Sequence, residues 1–149
     1  MKNLKQNKRL IKELASHFED DFNAKLPIAI QPNGDIVYKD YFIRKTAQSN
    51  WALYNLHNGD KVEEFFLKTC ALMAAKAYQA INLRKFNEIK YLDNQYRANY
   101  MQVIVFKNIM KKSPDFERYQ ILLNKFELSN ARAEHFKAEI SQQFKWSFV

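Results

Sequence analysis

Only two glycines occur in the chain, and both stand in the same setting, Pro32-Asn33-Gly34-Asp35 and His57-Asn58-Gly59-Asp60. Asn-Gly supplies two consecutive residues that tolerate positive φ, which a two-residue type I′ hairpin loop requires. Two hairpins are therefore predicted, and they limit where strands can run. Ile36-Val37-Tyr38 and the stretches 41–46, 51–56 and 61–67 are rich in β-branched and aromatic residues. The last three should pair in order as an antiparallel meander. With Ile28-Ala29-Ile30 added, the sheet spans 28–67 and holds three to five strands.

So few glycines, with three prolines in 149 residues, argue against a many-turned β-sandwich and for long helices elsewhere. Leu4, Ile11, Leu14, Phe18 and Phe22 recur at helical spacing, which predicts an amphipathic helix over 1–24 that ends before Pro27. Thr69-Cys70-Ala71-Leu72-Met73-Ala74-Ala75-Lys76-Ala77-Tyr78 reads as an Ala-rich helix lying on the sheet, with Thr69 able to cap it.

Residues 84–112 and 114–144 read as two long helices broken at Ser113-Pro114. Ile89, Leu92, Tyr96, Tyr100, Val103 and Met110 form a seam along the first. Tyr119, Leu122, Phe126, Ala133, Phe136, Ile140 and Phe144 form a seam of roughly heptad period along the second. An antiparallel helical hairpin follows, each arm roughly 45 Å long at 1.5 Å per residue. That exceeds the diameter expected of so small a domain, so part of the hairpin must project, bend or meet another subunit. The expected fold class is α+β, one domain over 1–149: helix 1–24, meander 28–67 and helical part 69–149.

The 47% apolar and 15% aromatic content suffices for a core without disulfides or metals. Cys70 is the single cysteine, so no internal disulfide forms and a thiol-based metal site is excluded. His17, His57 and His135 show no metal-ligand spacing. No glycine lies between a strand and a helix start, so phosphate loops are missing too. The carboxylates of Glu19-Asp20-Asp21 and Glu63-Glu64 are sequence neighbours that point in different directions, a poor arrangement for acid–base work. No cofactor or metal is expected. The basic amino terminus lacks the apolar core of a secretory signal, and no apolar run reaches the ~20 residues of a membrane span. A cytoplasmic protein without membrane contact is expected.

The net charge of +8 is unevenly placed: residues 69–112 carry eight basic and two acidic groups, while 27–68 and 113–149 each carry five of either sign. Lys76, Arg84, Lys85, Lys90 and Arg97, with Lys107, Lys111 and Lys112, could neutralise phosphates, and Tyr91, Tyr96 and Tyr100 are interleaved among them. The same cations could instead border a buried face with their aliphatic stems and keep the chain soluble.

Tyr41, Arg44, Trp51-Ala52, Phe66, Thr69, Ala71 and Ala74-Ala75-Lys76-Ala77-Tyr78 give residues 41–78 a further reading. This stretch resembles the three-stranded-sheet-plus-helix DNA-binding domain of plant ethylene-response factors and of some phage integrase arm domains. The resemblance implies that the sheet face enters a major groove, with Arg44, Lys45 and Trp51 in contact. It departs at Glu63-Glu64, where that family carries Arg or Trp. The Lys-, Asn-, Ile- and Phe-rich usage of the whole chain also resembles small proteins of tailed phages of marine cyanobacteria, which implies a phage-encoded chain acting in the host cytoplasm.

The function expected first is a non-catalytic protein-binding or assembly protein. It would associate with a partner or with itself through the hairpin, by way of Tyr119, Phe126, Phe136 and Phe144. The alternative is a basic nucleic-acid-binding protein using Arg44, Lys45, Trp51, Lys76, Arg84, Lys85, Lys90 and Arg97. A small enzyme with no recognisable motif is a third reading.

Overall fold

A computed structural model describes residues 28–112 and 115–148 of the chain. The helix expected over 1–24 and the break at Ser113-Pro114 lie outside the described residues. Strands β1 (Ala29–Ile30), β2 (Ile36–Tyr38), β3 (Tyr41–Lys45), β4 (Trp51–Asn55) and β5 (Lys61–Phe65) precede helices α1 (Lys68–Gln79), α2 (Leu83–Lys112) and α3 (Phe116–Phe148). All five strands pair antiparallel in chain order, so the meander extends over the whole region from 29 to 65. The architecture is α+β.

Neither Asn-Gly pair forms the expected type I′ loop. Gly34 (φ 93) and Gly59 (φ 75) have positive φ but the asparagines before them do not. In the first loop Gly34 N–H donates to Gln31 O at 2.9 Å and Gln31 N–H to Asp35 O at 2.8 Å. This is a type I turn with Pro32 at its second position, closed by a left-handed glycine, and proline's fixed φ selects it over type I′. In the second loop Asn55 O accepts Gly59 N–H at 2.9 Å, while Asn55 Oδ1 accepts His57 N–H at 2.9 Å. The wider span draws its order from that Asx turn. The two-residue hairpin loop is Lys39-Asp40, with no glycine and Lys39 at φ 50.

Strand alternation sends Ile36, Tyr38, Ile43, Leu53 and Phe65 to one face, where they meet α1 in the core cluster. Ala71, Ala74, Ala75 and Ala77 are buried and allow α1 to approach the sheet closely. The cap at its start differs from expectation. Leu67, not Thr69, is the N-cap, and it offers no side-chain bond. The missing acceptor comes from α2: Asp93 takes Phe66 N–H at 2.8 Å and Leu67 N–H at 2.9 Å. One carboxylate thus ties the helix N-terminus, where anions are favoured, to the hairpin.

The buried residues of α2 are Phe86, Ile89, Leu92, Asp93, Tyr96 and Asn99, all in its first 17 positions. From Tyr100 to Lys112 none is buried. Phe66 meets Tyr96 and Tyr100 at 6.2 and 5.8 Å between ring centroids. Sheet and α1 therefore support α2 as far as that aromatic cluster. Beyond it, among the described residues, only α3 accompanies α2. Among the described residues no helix is long and apolar enough to cross a membrane.

A candidate docking face on the helical hairpin

The residues nominated from sequence for nucleic acid do not converge. Arg44 lies on the sheet face turned away from α1, where it holds Asp35 through two bonds, Nε to Oδ1 at 2.9 Å and Nη2 to Oδ2 at 2.7 Å. Its guanidinium covers Phe42 and Tyr54, themselves stacked at 5.1 Å. The Arg44 bond holds the Asp35 carboxyl below the usual range. Lys45 and Trp51 are register partners pointing the other way by alternation. Trp51 packs against the core cluster with Lys68 Nζ 4.3 Å from its ring centroid.

The helical cations scatter as well. Lys76 is half-buried in α1. Lys90 bonds the Glu64 carbonyl, lies 3.7 Å from Glu63 Oε1 and covers Phe65 at 4.9 Å, so it is committed to β5. Lys85 sits 3.8 Å from Glu88. Arg84 and Arg97 are exposed, but helical spacing places them on different sides of α2.

Nor do the aromatic residues nominated for association form an outer seam. Phe144 is 2% exposed and belongs to the core, while Phe126 and Phe136 are half-buried along the α2–α3 contact. Tyr119 alone among them is exposed. The heptad seam of α3 is spent within the chain, since two antiparallel helices cover each other before any partner arrives.

Other residues hold the exposed apolar surface. Asp93 marks the side of α2 turned to α1, and at 3.6 residues per turn Tyr91, Ala98, Gln102, Val105 and Ile109 lie on the far side. Two bonds across the hairpin mark the same side of α3: Ser129 Oγ to Gln102 Oε1 at 3.2 Å, and Gln143 Nε2 to Glu88 Oε1 at 2.9 Å. Ile121 and Leu128 share that side of α3 by register, as do Arg118, Lys125 and Arg132. Tyr91 (56% exposed), Val105 (52%), Ile121 (58%) and Leu128 (53%) are large apolar side chains open to solvent on one face.

A sequence signal for this face existed. Residues 98–106 run nine positions without a charge, and Met101, Val103, Ile104, Val105 and Phe106 are apolar on every side of the helix. Such a helix belongs in an interior, yet among the described residues this stretch packs against α3 and leaves Val105 52% exposed. Asp93 also had a signal, as a lone acid inside the apolar stripe of Ile89, Leu92 and Tyr96.

Other chemistry stays local. Burial pushes the Cys70 thiol well above its ordinary pKa, so it remains protonated and donates to Asp93. Burial likewise raises Asp93, against the two backbone N–H donors, the Lys90 charge and that thiol. His57 Nε2 meets Asp40 at 2.9 Å, and Gln79 Nε2 donates to the same carboxylate at 2.9 Å. His57 first and then Gln79 lower Asp40, and the cluster ties two loops to the end of α1. His135, exposed, lies 3.2 Å from the half-buried Glu139 one turn on, an ordinary pair along one helix; His17 lies outside the described residues. Among the described residues no group of three or more His, Cys, Asp or Glu could hold a metal ion.

Comparison of the chain with protein-family models, with curated proteins and with solved structures finds no match.

Proposed function

We propose that this chain is a non-catalytic association protein whose projecting hairpin docks a protein partner. The observation that carries the reading is the distal half of α2, where Met101, Val103, Ile104, Val105 and Phe106 are spread around the helix and, among the described residues, α3 is the one element packed beside them. Exposed apolar side chains gathered on one face commonly mark a protein interface. The proximal half, the sheet and α1 then act as the mount that holds the hairpin out. Basic residues do not favour nucleic acid over this reading, because Arg44 and Lys90 are engaged by Asp35, Glu63 and Glu64 within the chain.

A photo-crosslinking residue placed at Val105 or Leu128 in the producing cell tests the proposal. The same protein adduct is expected from both positions and none from Glu127, on the solvent side of α3. Adducts that are equal at all three positions, or missing from all, would overturn it.

A further inference from the structure

Along its distal part the docking face carries basic side chains between its apolar ridges, while the carboxylates Glu88 and Glu139 lie towards its proximal end. Arg118, Lys125 and Arg132 recur every seven residues along α3 and are exposed. Their helical positions place them nearer α2 than Ile121 and Leu128, so they line the strip between those residues and the Tyr91–Val105–Ile109 ridge. None has an ion-pair partner among the described residues. Positions four residues away on either side of Lys125 and Arg132 are Ile121, Ser129, Leu128 and Phe136, so no carboxylate is within helical reach there. On α2 the facing residues Ala98, Gln102, Val105 and Ile109 bear no charge.

We infer that this face receives an acidic amphipathic helix from the partner, with apolar side chains seated against Val105, Ile109, Ile121 and Leu128 and carboxylates over Arg118, Lys125 and Arg132. The inference rests on the association reading above and names the partner's chemistry. A third helix laid along two others buries its apolar stripe in the manner of helix-in-groove recognition. The cationic strip selects carboxylates and rejects basic helices, because like charges brought together at an interface cost affinity. A second copy fits worse. Two such faces related by a two-fold axis would bring cationic strips together. A nucleic-acid strand would waste the aliphatic ridges, which offer a single aromatic ring, Tyr91, for base stacking.

The test uses the full chain and two synthetic helical peptides of about 20 residues, roughly 30 Å long. Both carry leucine at heptad spacing; one has glutamate beside the leucines and the other lysine. The acidic peptide is expected to bind and the lysine peptide is not. The triple variant Arg118→Ala, Lys125→Ala, Arg132→Ala should bind the acidic peptide at least about tenfold more weakly, and the loss should shrink as salt rises above ~0.15 M. The pair Val105→Ser, Ile109→Ser should weaken it by a similar factor at all salt concentrations. Equal binding of both peptides would overturn the acidic assignment and leave the association reading standing. Binding of neither, with a dimer seen by light scattering, would overturn it in favour of a second copy. Binding of neither by a monomer, or displacement of the acidic peptide by short duplex DNA at lower concentration, would overturn both readings.

Discussion

The two halves of α2 are one continuous helix, yet they are built on different terms. Up to Asn99 the helix buries Ile89, Leu92 and Tyr96, and sends Asp93 to cap α1. From Tyr100 onward it is at least as apolar, yet no residue is fully buried and Val103, Phe106 and Met110 are half-buried. What separates them is company: among the described residues the proximal half lies against α1, β5 and α3, and beyond the Phe66–Tyr100 contact the distal half lies against α3. Apolarity therefore goes with burial in one half and with exposure in the other, and only the neighbours tell which.

Four substitutions put that contrast to the test. The largest is Ile89→Ala, which removes a side chain with no exposed surface and should cost about 4 kcal/mol in denaturant unfolding. Next is Asp93→Ala, expected to cost about 3 kcal/mol because two backbone N–H groups at the start of α1 lose their acceptor. The pH dependence of this site is distinctive. Asp93 is raised above its value of 3.8, so its contribution is full below 3.8 and falls away as pH climbs through the raised folded-state value. Asp93→Asn should therefore gain on wild type across that window. If the gap between the two midpoints stays flat with pH, Asp93 is not the buried titrating group described.

Asp35 has the opposite sign. Held down chiefly by Arg44, it contributes above 3.8 and loses that contribution as pH falls through its lowered value. Because half of the Arg44 side chain is exposed, Asp35→Ala should cost only about 1 kcal/mol. A loss as large as that of Asp93→Ala would mean that the open sheet face is covered. The smallest effect belongs to Ile109→Ala, under about 0.5 kcal/mol as for surface changes in general. A cost approaching that of Ile89→Ala, measured in the same titration, would erase the distinction between the halves.

Much of the fold was legible in the chain. Asn33-Gly34 and Asn58-Gly59 located loops, alternation located strands, and heptad spacing located the hairpin. The turn types were not legible, because Pro32 and the Asn55 side chain decide them through contacts that an Asn-Gly pair does not encode. Nor was the replacement of the Thr69 cap, since the acceptor is Asp93, 26 residues beyond Leu67. The candidate surface was harder still. Phe126, Phe136 and Phe144 have the spacing of a seam, and spacing alone does not say whether a seam faces inward or outward. Arg44 looked free until Asp35, nine residues earlier, came to lie beside it through the β2–β3 pairing.

Thiol chemistry offers the most direct test of the distal face. Cys70 is the single cysteine and is fully buried, so wild-type protein should react slowly with an aromatic disulfide reagent. A Val105→Cys variant should react at once when free, and be protected when saturated with the acidic peptide. A thiol at 105 as slow as Cys70 in the free protein, or one that stays fast under saturating peptide, would contradict the account.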